Sequence, residues 1–447
     1  MSDQAHHHGD PQGTRLDPWF DAYAERAHNL RASEIRALFS VVSRPEVVSL
    51  AGGMPNLKDL PLPDLAETAK SLILNHGAQA LQYGSGQGWE PLREQLTEIM
   101  TYDHIIGADP DRIVVTTGSQ QALDLMAELF IDTGDVVLAE SPSYVGALGC
   151  FRARQADVIH VDMDDEGLIP SALEETIARL KKEGRSIKFL YTIPNYQNPA
   201  GVTLSEERRP IIAAICQREH VLILEDNPYG LLGFDADPLP ALHSYAPEGV
   251  VYLGSVSKMF APGMRIGWAL APHAIRDKLI LASEAAILSP TMFGQMFLSQ
   301  YLTDYDWYSQ VKAFRSMYRE RRDAMMGALA EYMPQCSWTK PAGGFYTWVT
   351  LPDGLDAKAM LPRAVRALVA YVSGTAFYYD GRGANHMRLS FCYPTPEDIR
   401  EGVRRLSTVV NAEIEVVEMF GTGQAKSDPH RDPHRPGPAT IPAPDTL

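Results

Sequence analysis

The chain has 447 residues, of which 45% are hydrophobic, so it is long enough for two or three domains or for one large α/β domain with a smaller satellite. Its formal net charge of −16 argues against a nucleic-acid-binding surface, and no apolar run approaches the roughly 20 residues that a membrane-spanning helix needs. Four cysteines without metal-ligand spacing and an N-terminus without an apolar signal segment favour a cytoplasmic protein that binds no metal.

Both ends of the chain are predicted to be disordered. Residues 1–17 are polar, and residues 421–447 are rich in proline and charge and poor in large apolar side chains. The three consecutive histidines at positions 6–8 are interpreted as part of a solvated tail rather than as a metal site. Residues 18–60 are expected to form a helical arm that joins a smaller domain.

Short β-rich segments alternate with helical patterns from about residue 112 to residue 290. Apolar strands without polar alternation are typical of a mostly parallel sheet that helices cover on both faces. Residues 61–310 are therefore predicted to form a large α/β domain. Its predicted strands are 113–115, 136–138, 158–161, 188–192, 221–224, 250–253 and 266–270.

The helical texture changes after these strands. Residues 291–332 have the pattern of two helices, and the second is long enough to link the large domain to a smaller one. The segment that follows mixes strands, such as 346–349 and 387–391, with helices. Residues 311–420 are therefore predicted to form a smaller α+β domain.

Lys258 stands in the segment SVSKMFAPGMRIGW, with small hydroxyl residues just before it and an arginine seven positions after it. A lysine amine can form a Schiff base with pyridoxal 5'-phosphate (PLP). Ser255, Ser257 and Arg265 are donors that suit a phosphate, because the planar arginine fork matches phosphate oxygens. A surface lysine on a turn is the alternative when such a segment stands alone.

The segment TTGSQQAL runs from a predicted strand into a predicted helix. A helix N-terminus offers free N–H groups and a partial positive charge to a phosphate. Gly118 allows close approach of the backbone, and Ser119 and Gln120 can donate hydrogen bonds. An ordinary helix start that Ser119 caps is the alternative.

Three further loops with polar or aromatic residues follow apolar strands. Asp226 and Tyr229 lie in LEDNPYG, Asn198 lies in NYQNPAG, and Tyr144 follows the strand near 136–138. A carboxylate at the end of a parallel strand is well placed to face a ligand. An aromatic ring there can stack on a planar ligand. Turn residues or core packing are the alternatives for these side chains.

Arg388 is a charged residue inside the apolar strand MRLSF. A bidentate contact to a substrate α-carboxylate would explain a charge in that setting. An arginine that points to solvent from an edge strand is the alternative.

These segments appear in the order TGSQQALDL, NPAG, EDNPYG, SVSK, PGMRIGW and RLSF, and together they resemble class I and II aminotransferases of PLP fold type I. The resemblance covers roughly residues 25–412. It is greatest to the branch with 2-aminoadipate aminotransferase and kynurenine aminotransferase II, through AGGMP and LQYGSGQG. It implies an α/β fold, in which a large domain with a mostly parallel seven-stranded sheet between helices is joined to a smaller α+β domain.

Carried over by position, the resemblance implies that Lys258 forms the Schiff base and shuttles a proton, and that Asp226 pairs with the ring nitrogen. Arg388 would bind the α-carboxylate, with Gly53 and Asn198 also beside the substrate. The remaining contacts would hold the 3'-oxygen, the ring face and the phosphate, through Asn198, Tyr229, Tyr144, Ser119, Gln120, Ser255, Ser257 and Arg265.

In this fold the neighbouring subunit completes each active site, so the resemblance implies a homodimer. Tyr83, in LQYGSGQG, is expected to reach the partner's phosphate. Arg31 on the arm is the first candidate to contact an acidic substrate side chain, because Asn29 aligns where relatives have an arginine.

The resemblance therefore implies a PLP-dependent aminotransferase. It would transfer the amino group of 2-aminoadipate or of an aromatic or large aliphatic amino acid to a 2-oxo acid, 2-oxoglutarate. A fold type I lyase or decarboxylase with the same cofactor is one alternative. A ligand-sensing regulator is another, although it would need a basic DNA-binding domain, and only about 25 residues precede the matching region.

Overall fold

The structure is a computed structural model that describes residues 17–28, 30 and 44–420. The predicted tails, except for Asp17, lie outside these described residues, and so do residues 31–43 of the predicted arm. Within the described ranges, no helix combines the length and the apolar character of a membrane span.

The largest sheet in the described part of the chain has eight strands and is mostly parallel. All seven strands that the apolar runs predict are present, and the two-residue strand Gly167–Leu168 extends the sheet at one edge. Gly267–Leu270 runs antiparallel to both of its neighbours. In spatial order the strands are Ile113–Thr116, Gly267–Leu270, Val250–Ser255, Leu222–Asp226, Ile187–Thr192, Val136–Ser141, Asp157–Asp164 and Gly167–Leu168.

Helices cover both faces of this sheet, which explains why its strands are mostly apolar. Val136 and Leu138 belong to one cluster of buried residues, whereas Val137 and Ala139 belong to another. Successive side chains of a strand point to opposite faces, so each face has its own core. The first core includes side chains of helices Pro170–Lys182 and Arg208–Glu219, and the second includes those of Ser119–Phe130 and Val145–Ala153.

Several helices begin at residues whose side chains cap them. Thr291, Asp306 and Asp356 each accept hydrogen bonds from backbone N–H groups of the first turn that follows. These three caps begin helices Met292–Asp304, Trp307–Tyr332 and Ala357–Arg366. The remaining described α-helices are Glu25–His28, Leu62–Ala80, Glu90–Met100, His273–Ile287 and Pro396–Phe420. Short 3₁₀-helices span Phe20–Ala22, Thr101–Asp103, Pro110–Arg112, Gly230–Leu232, Leu242–Ser244, Pro262–Met264 and Gly374–Phe377.

A second, antiparallel sheet forms the smaller α+β part. Its strands, in order, are Ser337–Trp338, Tyr346–Thr350, His386–Ser390 and Val372–Ser373. The strand Val48–Ser49 pairs in parallel with Val369–Ala370, so this N-terminal segment packs against the smaller part. We propose the division into a large and a smaller domain near residue 310, which falls inside helix Trp307–Tyr332; this helix therefore connects the two.

Candidate active site

One cavity of about 310 Å³ lies where five loops meet. Each loop follows the carboxyl end of a strand of the large sheet, the edge at which open α/β sheets bind ligands. The N-terminal segment and the smaller sheet supply the rest of the wall. Twelve predicted site residues line the cavity: Gly53, Ser119, Gln120, Tyr144, Asn198, Asp226, Tyr229, Ser255, Ser257, Lys258, Arg265 and Arg388.

Lys258 points its amine at the N-terminal segment. Its Nζ donates a hydrogen bond to the carbonyl oxygen of Gly53 at 2.8 Å. Burial of the amine, together with the positive charges of Arg388 and Arg265, lowers the pKa of Lys258 to about 8. The amine therefore becomes neutral, and nucleophilic, at a lower pH than that of an ordinary lysine.

Asp226 is a buried carboxylate with one free oxygen. Its Oδ2 accepts a hydrogen bond from the Tyr191 hydroxyl at 2.9 Å, whereas Oδ1 has no partner among the described residues. Burial raises the pKa of Asp226 to about 7. An unpaired buried carboxylate oxygen beside a cavity is costly unless a ligand supplies a donor.

Arg388 lies fully inside the molecule, on a strand between two neighbours, which excludes the solvent-facing alternative. Its Nη1 donates to Asn198 Oδ1 at 2.9 Å, across 190 residues of sequence, and its Nη2 donates to the Ala51 carbonyl at 2.6 Å. The Nε has no partner in the described part of the chain. The guanidinium carbon lies 4.1 Å from the centre of the Tyr346 ring. Hydrogen bonds therefore hold the guanidinium nitrogens, and the aromatic ring packs against the group.

A set of hydrogen-bond donors gathers where helix Ser119–Phe130 begins. Gly118 precedes the helix with a φ of 77°, and it rather than Ser119 is the N-cap. An added Cβ at Gly118 would lie 2.6 Å from Arg265 Nη2, so the arginine needs a glycine here. The Ser255 hydroxyl donates to Ser257 Oγ at 3.0 Å. The helix N-terminus, the hydroxyls and the guanidinium form an environment suited to a phosphate.

Tyr144 lies on the cavity wall rather than in the core. Its hydroxyl donates to Gln120 Oε1 at 3.4 Å, and Gln120 Nε2 donates to the Gly146 carbonyl at 3.1 Å. These contacts orient the tyrosine ring beside the cavity that Asp226 also lines.

Among the described residues, one predicted contact does not line this cavity. Tyr83 is 76% exposed, and its backbone N–H donates to its neighbour Gln82. Arg31, the predicted contact for an acidic side chain, lies outside the described residues. In residues 17–28, 30 and 44–420 there is no cluster of histidine, cysteine and carboxylate side chains that could hold a metal ion.

Sequence reasoning missed five cavity-lining residues. Tyr346 was assigned only to an apolar strand, and the signal that could have singled it out is its pairing with Ser390, two residues from Arg388. That register is a tertiary property. The other four are Met54, Ile193, Pro228 and Pro262.

Comparison with known proteins gives a consistent assignment. Residues 45–406 match the family model for aminotransferase class I and II. The chain is 42% identical to aromatic-amino-acid aminotransferase 1 of Thermococcus litoralis, over 88% of this chain and 94% of that one. It is 36% identical to 2-aminoadipate transaminase of Thermus thermophilus, over 89% and 99% of the two chains. The crystal structure of Pyrococcus horikoshii kynurenine aminotransferase with PMP superposes with a TM-score of 0.84 at 39% identity, covering 88% of this chain and 97% of that one.

The chain belongs to the class I and II aminotransferases. It is a PLP-dependent aminotransferase of fold type I, and its cofactor is pyridoxal 5'-phosphate. The cavity fits that cofactor on its own chemistry. The free Oδ1 of Asp226 can accept a hydrogen bond from a protonated ring nitrogen. The donors around Gly118 suit the phosphate, and the Lys258 amine can form the Schiff base.

Proposed function

We propose that this aminotransferase takes the amino group from aromatic amino acids, 2-aminoadipate or large aliphatic amino acids and passes it to 2-oxoglutarate. The observation that carries the proposal is the convergence of Arg388, Lys258 and Asp226 on one cavity. Arg388 can bind an α-carboxylate there, beside the Lys258 amine and the Asp226 carboxylate, which would keep a bound pyridine nitrogen protonated. Transfer from an α-amino acid requires this arrangement.

Lys258 is proposed to hold and move the proton. Bound PLP supplies the electron sink that makes the α-proton of an amino acid acidic and accepts its amino group. The Lys258 amine, with its pKa lowered to about 8, can take up a proton at Nζ and return it nearby. Asp226 keeps the ring nitrogen protonated through Oδ1, while Tyr191 fixes its other oxygen at 2.9 Å.

The other predicted residues are proposed to hold the cofactor in place. Asn198 and Tyr229 would donate to its 3'-oxygen, and Tyr144 would stack on its ring. Asn198 also accepts from Arg388, so the same amide would align the cofactor and the carboxylate-binding guanidinium. The phosphate contacts fall to Ser119, Gln120, Ser255, Ser257 and Arg265.

The breadth of the donor range follows from the cavity wall. Arg388 binds the α-carboxylate that every amino acid has, so it cannot discriminate among side chains. Met54, Ile193 and Tyr346 supply apolar surface on the same cavity. Apolar surface of this kind suits aromatic and large aliphatic side chains, in keeping with the similarity to an aromatic-amino-acid aminotransferase.

The test is a panel of amino donors with 2-oxoglutarate as acceptor. We expect one equivalent of glutamate for each equivalent of 2-oxo acid formed from phenylalanine, tyrosine, leucine or 2-aminoadipate. Asp226→Asn keeps the size of the side chain but cannot hold the charge on the ring nitrogen, so it should bind PLP and lose most turnover. Product formation without an acceptor, or carbon dioxide release, would assign the protein to the lyases or decarboxylases instead.

We also propose that the active site is completed in a homodimer. Tyr83 is 76% exposed, and the apolar side chains of Leu74, Leu81 and Leu288 are also exposed, at 73%, 71% and 58%. An exposed apolar surface of this kind is typical of a protein–protein interface. A second copy of this chain on that surface would give Tyr83 a buried environment.

A further inference from the structure

A continuous chain of hydrogen bonds lies beneath the loops of the active site. Arg209 Nη2 donates to Asn195 Oδ1 at 2.7 Å, and Asn195 Nδ2 donates to Asn227 Oδ1 at 2.9 Å. Asn227 Nδ2 then donates to the Tyr252 hydroxyl at 3.2 Å, and that hydroxyl donates to Asp103 Oδ2 at 2.8 Å. All five side chains are buried. We call this the Arg209–Asp103 chain.

Every link of the chain donates in the same direction, from a cation to a carboxylate. An arginine only donates and an ionised carboxylate only accepts, so the two ends fix the orientation of the three side chains between them. Turning either asparagine amide over would place donor against donor at one link and acceptor against acceptor at the other. Aligned hydrogen bonds also strengthen one another in a low-dielectric interior.

The arginine end of the chain is anchored. Arg209 also donates to the carbonyl oxygens of Leu204 at 3.0 Å, Pro194 at 3.2 Å and Pro240 at 2.9 Å. All hydrogen bonds that the Arg209 side chain makes in the described part of the chain go to carbonyl and amide oxygens, not to a carboxylate. The buried carboxylates of Glu225 and Asp103 act on Arg209 through space and raise its pKa, against the larger effect of burial, which lowers it.

The two asparagines stand in the two loops that hold the proposed cofactor contacts. Asn195 comes three residues before Asn198, and Asn227 comes directly after Asp226 and two residues before Tyr229. The 2.9 Å bond between the two amides is therefore a direct tie between these loops. None of the roles assigned above uses the Arg209–Asp103 chain.

We propose that Asn195, Asn227 and Tyr252 are positioning residues, which hold the Asn198 loop and the Asp226–Tyr229 loop at the separation that the cofactor's 3'-oxygen needs. The inference rests on the proposed function, because it assumes that Asn198 and Tyr229 donate to that oxygen. Donors to an anionic oxygen stabilise it and lower its pKa. A break in the chain weakens both donors and raises that pKa.

Tyr252→Phe is the first test, because one hydroxyl both accepts from Asn227 and donates to Asp103. Tyr371→Phe is the matched control: its hydroxyl is equally buried and donates at 2.6 Å to the Ala357 carbonyl, away from the cavity. The holoenzymes are compared by pH titration of the visible cofactor band and by the dissociation constant of PLP. Tyr252→Phe should raise the apparent pKa of the band by about half a unit to one unit and weaken PLP binding about two- to tenfold. Tyr371→Phe should change neither, although both variants lose similar thermal stability.

Asn195→Asp is the second test, in case Tyr252→Phe folds poorly. It keeps the acceptor for Arg209 but replaces the donor to Asn227 with an acceptor, so it breaks one link only. The band should shift in the same direction. Tyr229→Phe calibrates the measurement, since it deletes one proposed donor outright and should shift the band more.

The outcomes separate the two proposals. A shift in Tyr229→Phe with none in Tyr252→Phe and Asn195→Asp overturns the positioning role and leaves the proposed function standing. No shift in Tyr229→Phe overturns the 3'-oxygen contact and the positioning role together. Equal shifts in Tyr252→Phe and Tyr371→Phe would mean a general loss of stability and would also overturn the positioning role.

Discussion

The Lys258 amine lines the cavity and has a pKa below that of an ordinary lysine. Burial among the cavity walls is the main cause, because the charged ammonium loses hydration there. The Gly53 carbonyl accepts a hydrogen bond from the amine at 2.8 Å, so the side chain is held without a carboxylate partner that would restore its charge.

The apo-protein should therefore show an unusually reactive Lys258. Labelling of its amine by a small amine-reactive reagent, followed by peptide mass spectrometry, should have a pH midpoint near 8. The same peptide labelled in denaturant serves as the control, and its midpoint should move up towards about 10.4, the value of a free lysine. Identical midpoints in the folded and unfolded chains would contradict the effect of burial.

The buried carboxylate of Glu225 makes the stability of the fold depend on pH. Glu225 accepts hydrogen bonds from the Leu242 and His243 backbone N–H groups, both at 2.9 Å, yet burial raises its pKa to about 7. Its folded pKa is above the unfolded value of about 4.3, so the folded chain binds more protons between these pH values. The stability that this group contributes is present below pH 4 and is lost as the pH rises to 7.

Glu225→Gln should remove this pH dependence, because the amide resembles the protonated acid and cannot ionise. Relative to wild type, the variant should gain about 1–3 kcal/mol of unfolding free energy between pH 5 and pH 8. Urea unfolding of the apo-proteins at both pH values measures it. Glu94→Gln, on the surface, is the control and should keep the wild-type profile. A constant difference between Glu225→Gln and wild type would refute the argument.

At the scale of the elements, the junction between strand Ile113–Thr116 and helix Ser119–Phe130 sets the proposed phosphate site. Gly118 has a φ of 77°, which a side chain adopts only with strain, and its missing Cβ leaves room for Arg265. Arg265 Nη2 donates to the Thr117 carbonyl at 3.0 Å, so the guanidinium lies directly over the junction.

Gly118→Ala should weaken PLP binding about tenfold or more, because the new methyl group displaces the Arg265 guanidinium and costs a charge-assisted contact. Gly134→Ala is a matched control, since Gly134 has a φ of 86° and no heavy atom within 4 Å of an added Cβ. Both variants should lose stability through backbone strain, but only Gly118→Ala should change the dissociation constant of PLP. A similar loss of affinity in both would remove Arg265 from the explanation.

At the scale of the whole molecule, the cavity draws on three parts of the chain. The large sheet supplies Lys258 and Asp226, the smaller sheet supplies Arg388, and the N-terminal segment supplies Gly53. The proposed dimer would add Tyr83 of a second subunit as a fourth part, since Tyr83 is 76% exposed and does not line the cavity of its own chain.

Mixing two inactive variants tests this shared site. Lys258→Ala removes the amine, and Tyr83→Ala removes the proposed contact to the neighbouring site. After subunit exchange, a heterodimer should contain one intact site, with Lys258 from one chain and Tyr83 from the other, so activity should return. Each variant mixed with itself is the control. A monomer that stays fully active at high dilution would disprove the shared site.

The sequence by itself determined the fold class and most of the cavity. The seven apolar runs became the seven main strands because a mostly parallel sheet that helices cover on both faces buries apolar side chains on each face. Polar residues just after these runs, such as Asn198, Asp226 and Lys258, came together because the carboxyl ends of parallel strands lie at one edge of a sheet. The resemblance to the aminotransferases supplied the roles, and these stay predictions.

Only the tertiary structure decided the contacts between parts of the chain that are distant in sequence. Arg388 and Asn198 are 190 residues apart, and no periodicity places their side chains 2.9 Å from each other. The register of the smaller sheet brought Tyr346 beneath Arg388, and the packing of the N-terminal segment brought the Gly53 carbonyl to Lys258. The same holds for the Arg209–Asp103 chain. Local sequence sets the identity and order of these groups, whereas side-chain direction and distance depend on how whole elements pack, which is a property of the complete core.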